Sequence, residues 1–304
     1  MKNIEEYANK LKNVNLVKSY NTNETLNKSL LFYHIKKCGG IYFRTQLSNG
    51  AKVINNRTNP IGSIHMNNLK YKDYSEQLKS FLQREDTQRI VPFTTMQPYG
   101  IHKKFKKNFL LTTTIRDPFS RIVSDFTYTY ARQGKKAKEK DFNEFLYNIT
   151  EHNLCTKVLS GSYKKYSVEK AIKNLKKNFH SYVILEDINK LLEYYISAYN
   201  MPNVLSEKLN STTKPKIKEK LLKYKDEIIK LNSLDMELYE YIKNNPRIPK
   251  FEASENYNKN TLISLDGTNE NSQVKLETNL INTEVLDNYL KLKNPDSLKV
   301  FSKS

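Results

Sequence analysis

The sequence predicts an α/β fold, a central, mainly parallel sheet flanked by helices, and three observations predict it. Short apolar runs at 30–35, 108–115 and 181–185 have the length and composition of strands. Each is followed at once by a turn or helix-start signal: Gly39-Gly40, Asp117-Pro118 and Asp187. Strands alternating with helices pair in parallel, and the helices cover the sheet faces.

Taken in order, residues 1–28 are a polar extension with a weak helical pattern at Ile4, Tyr7 and Leu11. Leu30 to Ile35 is a buried strand feeding the turn Lys36-Lys37-Cys38-Gly39-Gly40. Residues 41–48 read as a helix that Asn49-Gly50 stops. A second strand is expected at 51–54, a helix over 69–82 and another strand at 90–93. The run 108–115 is rich in β-branched residues, and Pro118 suits the first turn of the next helix with Asp117 as its cap. That helix carries Phe119, Ile122, Val123 and Phe126 on one face. Asp141 caps a helix through Leu146, with Glu144 completing a capping box. Ser167 opens a helix through Leu175, residues 181–185 form a strand, and Asp187 caps a helix through Tyr199. Two more helices are expected over 214–230 and 233–244. Past Pro249 the composition turns to Asn, Ser, Thr, Lys and Glu, so a domain over 29–250 is followed by a polar tail, 251–304, partly disordered or loosely docked.

Composition narrows the function classes. The chain has 304 residues and 38% hydrophobic content, with 21 Tyr and 13 Phe to build a core without Trp. Lys and Arg total 51 against 32 Asp and Glu, a net charge of +19 that favours an anionic partner. The lysines are spread along the chain and no nucleic-acid motif occurs, so no specific nucleic acid is expected. Two cysteines exclude a disulfide-rich scaffold, and no C-x-x-C or Cys/His cluster calls for a metal. No apolar stretch at the N-terminus is long enough for a signal peptide or an integral membrane segment, which makes a soluble chain the expectation.

Two segments carry chemistry. In the first, a strand, Lys37, a glycine pair and a helix suit phosphate: the glycines admit close approach and the helix start offers unpaired N–H groups. An ordinary β–α turn has the same pattern. The segment lacks the Walker A spacing, and no acidic pair for Mg²⁺ is evident, which argues against a nucleotide kinase. In the second, Arg116 ends a strand and Ser124 lies eight residues on, slightly over two helical turns. A charged fork and a hydroxyl can then face one anion. The alternative is Arg116 paired with a surface carboxylate.

Together the segments resemble the carbohydrate sulfotransferases of the heparan-sulfate 2-O and galactose 3-O type. That family carries His-Ile-Pro-Lys-Thr-Gly-Gly-Thr-Ser after a strand; here the stretch is His34-Ile35-Lys36-Lys37-Cys38-Gly39-Gly40-Ile41-Tyr42. Its second signature, Arg-Asp-Pro-x-x-Arg-x-x-Ser, is matched in full by Arg116 to Ser124. Asn153 to Gly161, Val183 to Asp187 and Asp235 to Tyr239 resemble later family stretches, so the likeness covers about 29–245 in matching order. It implies a P-loop-like nucleotide-binding fold and the donor 3′-phosphoadenosine 5′-phosphosulfate, with no metal. Residues 37–44, including Lys37, Cys38, Gly39, Gly40, Ile41 and Tyr42, would hold the phosphosulfate; Arg116 and Ser124 would hold the 3′-phosphate. Lys37 would stabilise the leaving oxygen, and the acceptor would be a carbohydrate, an anionic polysaccharide among the candidates. The resemblance also implies a Golgi-lumenal enzyme if the chain is the trimmed part of a eukaryotic protein; a bacterial or viral chain would be cytoplasmic.

Lys36 replaces the family's Pro, Cys38 its Thr, and Ile41-Tyr42 its hydroxyl pair. The family's Gly-His between the signatures is absent, which leaves His102 as the first candidate base, with His65 and Glu85 as alternatives. His34 reads as structural, and His152 and His180 as surface or satisfied core residues. A degenerate member that binds donor or glycan without catalysis is the competing reading.

Overall fold

The computed structural model describes residues 28–55, 64–65, 93–104, 109–199, 204–206, 215–250, 262–265, 274–278 and 298–302. Five strands, β1 (Ser29–Tyr33), β2 (Ile64–His65), β3 (Phe93–Thr95), β4 (Phe109–Ile115) and β5 (Phe179–Ile184), form one sheet in the order β2-β3-β1-β4-β5. Every pairing in it is parallel. All five carboxyl ends therefore lie along one edge, and the fold is α/β as the alternation requires.

The helices are α1 (Gly40–Asn55), α2 (Pro118–Arg132), α3 (Leu154–Ser160), α4 (Val168–Asn178), α5 (Ile188–Ala198), α6 (Pro215–Lys220), α7 (Lys225–Leu231) and α8 (Ser233–Asn244). Alternate residues of a strand point to opposite faces. Leu31 and Tyr33 of β1 join Leu111, Ile115 and Phe179 under residues of α3, α4 and α8. Leu30 and Phe32 join Val183 under α1 and α5. Burial on both faces is why β1 reads as an unbroken apolar run. Among the described residues no helix is long and apolar enough to cross a membrane.

The face of α2 expected from its spacing packs away from the sheet. Phe119, Ile122, Val123 and Phe126 meet Phe142, Phe145, Leu146, Leu221 and Ile228. Phe126 lies edge-on to Phe142 with ring centroids 5.1 Å apart. Each fully buried ring contributes about 2–3 kcal/mol. The Asp117 carboxylate accepts from the Ser120 N–H at 2.8 Å, and the Ser167 hydroxyl from the Lys170 N–H at 3.3 Å, so both expected caps form.

Other expectations are corrected. Asn49-Gly50 does not stop α1, which runs on to Asn55 and takes in the strand expected at 51–54. A glycine inside a helix costs about 1 kcal/mol, and burial of Phe43 and Leu47 against α5 outweighs it. Of the strand expected at 90–93, residues 90–92 lie outside the described residues; the described strand is Phe93–Thr95. Asp141 makes no side-chain cap bond, and the helix expected to reach Leu146 becomes a π-turn, Phe145–Ile149, because Phe142, Phe145 and Leu146 all bury. Asp187 pairs with Lys190 at 2.8 Å instead of capping α5. The helix expected over 214–230 breaks at the tight turn Leu222–Tyr224, where Leu221 is drawn into the α2 cluster. The helix expected over 69–82 and the pattern at Ile4, Tyr7 and Leu11 lie outside the described residues.

Arg247 exchanges two backbone hydrogen bonds of 2.9 Å with Tyr182 and so covers the outer edge of β5. A second sheet, β6 (Val204–Ser206), β7 (Leu262–Leu265), β8 (Val274–Thr278) and β9 (Leu298–Ser302), draws three strands from the 251–304 stretch.

Candidate active site

β1 and β4 are neighbours at the centre of the sheet, yet the strands that follow them lie on opposite sides: β3 and β2 beside β1, β5 beside β4. Such a switch point opens a crevice at the carboxyl edge, where α/β sheets take ligands. The β1–α1 loop and Arg116-Asp117 both leave the sheet there.

Threonines of β4 hold that loop. Thr113 donates to the Tyr33 carbonyl at 2.9 Å, and Thr114 to the Cys38 carbonyl at 2.5 Å. Thr112 bonds the Ser181 hydroxyl at 2.6 Å. All three threonines are fully buried, so each hydroxyl needs such a partner. The loop then turns tightly: the Cys38 N–H donates to Ile35 and the Phe43 N–H to Gly39, the first bond of α1.

Both glycines are required by close approach. A side chain at Gly39, whose φ is +81°, would lie 2.3 Å from a Leu185 methyl, and one at Gly40 would lie 2.0 Å from the His34 ring. His34 is therefore a packing residue, as the sequence suggested. Lys37 is left-handed too, with φ 67°, a conformation that costs a lysine about 1–2 kcal/mol.

The first amides of α1, those of Gly40, Ile41 and Tyr42, have no acceptor within the helix. No acidic residue stands in its first turn to compete for them. Around them gather charges. Lys36 Nζ pairs with Asp125 Oδ1 at 2.7 Å, and this carboxylate is 3% exposed. Lys37 Nζ sits 3.8 Å above the centre of the Tyr128 ring. Burial pushes the Lys37 pKa down to about 8; Asp125 opposes that, while Lys36 and Arg116 reinforce it. Arg116, half-buried, makes no hydrogen bond or ion pair among the described residues. The Ser124 hydroxyl, in a buried residue two turns along α2, likewise has no hydrogen-bond partner among them.

The remaining sequence candidates fall as follows. Cys38 turns its thiol into the core, donating weakly to the Lys36 carbonyl at 3.7 Å, and its amide is already taken by Ile35. Tyr42 donates its hydroxyl to Asn189 on α5 at 3.0 Å, so only its amide can face the loop. Ile41 is half-buried beside it. His102 lies beyond the carboxyl end of β3, with Nδ1 2.8 Å from the Tyr33 hydroxyl and its ring against Tyr99. Burial, aided by Lys103, pushes its pKa down to about 4, so it is neutral at pH 7. The side chain of His65 and all of Glu85 lie outside the described residues. His152 bonds Asn232 and His180 bonds Tyr195, satisfied positions both.

Sequence reasoning gave no role to four residues, two of which, Arg121 and Asp235, stand in the motif stretches it singled out. Asp125 and Tyr128 hold the two lysines; their signal was position, one and four residues beyond Ser124. Arg121 is fully buried and donates to the Glu151 carbonyl at 2.9 Å and to Asn232 at 3.4 Å, which ties α2 to the start of α8. Asp235 joins the later motif stretches. It accepts from the N–H groups of Cys155 and Thr156 at 3.0 and 2.8 Å and from the Thr156 hydroxyl at 2.9 Å. Asn153 returns the contact, accepting from the Leu234 and Asp235 amides at 3.1 and 3.2 Å. Each helix thus caps the other.

No curated protein matches the chain. The family model described as the sulfotransferase family matches residues 20–242, which span β1, the glycine turn, Arg116 to Ser124 and most of α8. With well over half of its length matched, including every element that builds this edge, the chain belongs to the sulfotransferase family.

Proposed function

We propose that this sulfotransferase takes its sulfuryl group from 3′-phosphoadenosine 5′-phosphosulfate and delivers it to a hydroxyl of a carbohydrate. The observation that carries the reading is a charge imbalance at the β1/β4 edge. Lys36 and Arg116 crowd their charges on Lys37, and one buried carboxylate, Asp125, paired with Lys36, stands against them beside the open amides of α1. An edge so arranged suits a ligand with two separated phosphate groups. Lys37 and the amides of Gly40, Ile41 and Tyr42 would hold the phosphosulfate end. Arg116 and the Ser124 hydroxyl, both without other partners among the described residues, would hold the 3′-phosphate.

In an in-line transfer, negative charge grows on the bridging oxygen as its bond to sulfur breaks. Protonated Lys37 and the loop amides stabilise that charge from fixed positions. We assign His102, on the same edge of the sheet, as the group that accepts the acceptor's proton. Its neutrality at pH 7 leaves a ring nitrogen to do so, although so weak a base contributes less than one poised near 7. The carbohydrate acceptor rests on the motif likeness, and an anionic polysaccharide suits the net charge of +19.

A pH profile follows. Lys37 acts in its charged form, which is lost as pH rises through about 8, so kcat/KM for the donor should fall above that value. Bound phosphate stabilises the ammonium, so the alkaline limb of kcat should lie higher. With His102 as base the acid limb should lie near 4. An acid limb between 6 and 7 would remove His102 from the role.

The decisive test is calorimetric binding of 3′-phosphoadenosine 5′-phosphate, the product nucleotide, to wild type and to Arg116→Ala. Micromolar binding by wild type that is lost in the variant, by on the order of 100-fold, supports the donor site. Binding without turnover on any glycan would favour the non-catalytic reading, which the inward thiol of Cys38 and the weak basicity of His102 keep in view. No binding by folded wild type defeats the donor site and moves the non-catalytic reading, as a glycan binder, to the front.

A further inference from the structure

We propose that Asp125 and Tyr128, three residues apart on one face of α2, are positioning residues that hold Lys36 and Lys37 in their places over the donor site; this rests on the reading of that site given above. Two consecutive lysines part company at the glycine turn. One reaches Asp125 at 2.7 Å and the other lies over Tyr128 at 3.8 Å. Asp125 and Tyr128 thus meet the loop from one helix face with a carboxylate and an aromatic ring.

Several features make this more than surface pairing. Asp125 is 3% exposed, and its second oxygen receives only a long contact from the Thr150 hydroxyl, at 3.4 Å. A carboxylate so buried needs a cation beside it, and Lys36 supplies one. The ring of Tyr128 has Lys37 on it and the Arg132 guanidinium 5.8 Å from its centre, so two cations meet the one ring. The left-handed backbone of Lys37 is a conformation that a lysine does not adopt unaided, and a fixed ammonium supplies a reason for it to persist.

The arrangement also answers the sequence's departures. Where the resembled family has Pro, this chain has Lys36, and where it has two hydroxyls after the glycines, this chain has Ile41 and Tyr42. The ion pair with Asp125 tethers Lys36 where the proline would have stiffened the loop. Besides the Tyr128 ring, the groups that face the Lys37 ammonium are Lys36, Arg116, Asp125 and Cys38; Asp125 is the one carboxylate among them and does most to keep it protonated. Asp125 therefore has two tasks: it draws Lys36 aside and it sustains the charge of Lys37.

The test is a pH titration of Lys37 by competitive trace acylation of the full chain without nucleotide, read by peptide mass. It is paired with turnover and with calorimetry of 3′-phosphoadenosine 5′-phosphate. Asp125→Asn should move the Lys37 midpoint below the wild-type value of about 8 and lower turnover near neutral pH on the order of tenfold, and Asp125→Glu should recover part of both. Tyr128→Leu should lower the midpoint and cut kcat about tenfold while nucleotide affinity changes less than about threefold; Tyr128→Phe, which keeps the ring, should match wild type. An unchanged Lys37 midpoint in folded Asp125→Asn and Tyr128→Leu overturns the proposal. If Asp125→Asn does not fold, the Leu and Phe pair at half-buried Tyr128 decides. Wild type that binds no nucleotide would sink the donor reading, and the acylation titration would still judge the positioning.

Discussion

On the proposed donor reading, Lys37→Ala is expected to lower turnover by on the order of 10²–10³-fold, through loss of the ammonium assigned to the breaking bond. The variant should stay folded, and a sign argument says why. Burial holds the Lys37 pKa at about 8, below its ordinary value of 10.5. Between those values the unfolded chain keeps a proton that the folded chain releases, so folding gains stability as pH rises through the window. Below about 8 the cost of desolvating the charge is fully present. Alanine removes that cost, so the variant should melt no lower than wild type at neutral pH, and its stability should lose the rise on the alkaline side. Turnover within threefold of wild type would take Lys37 out of the mechanism. Reduced melting temperature with reduced turnover would mark it as structural instead.

Asp235→Ala should produce the largest loss of stability, about 3 kcal/mol, while leaving donor affinity of the folded fraction intact. The carboxylate is 1% exposed and accepts three hydrogen bonds from the start of α3. Removing it strands two buried amides and a hydroxyl, and each stranded donor costs roughly 1–3 kcal/mol. Asp235→Asn should also destabilise, because one of its two positions would set an amide donor against other donors. Urea denaturation reads both. A loss under about 1 kcal/mol for alanine would mean that water enters and takes the carboxylate's place.

Much of the scaffold was legible because its signals are local. The strands at 30–35, 108–115 and 181–185 announce themselves by composition, and Asp117 and Ser167 announce their helices by capping chemistry. The length of α1 was not legible, because Asn49-Gly50 is a local stop signal overridden by the contact of Phe43 and Leu47 with α5, far along the chain. The same limit applies to the site. Lys37, Gly39, Gly40, Arg116 and Ser124 stood out by spacing, but that spacing could not show that Lys36 and Lys37 take different partners on α2. Arg121 is only a signature position until its bonds to Glu151 and Asn232 are seen. His102 reads as an ordinary imidazole until its burial beside Tyr33, 69 residues earlier, is known. In each case the missing information was a long-range contact.

The glycine pair has a thermodynamic consequence. Gly39 is closed in by Leu185 and Ile188 and Gly40 by the His34 ring, and Thr114 holds the Cys38 carbonyl, so packing and hydrogen bonding fix the turn between β1 and α1 in the folded chain. Its backbone entropy is therefore lost when the chain folds, not when a ligand arrives. An anion that meets this turn finds its amides already aimed, so little further ordering opposes association. Nucleotide capture should then be fast and only weakly dependent on conformational rearrangement, with the slower adjustments left to the lysine side chains and to the acceptor.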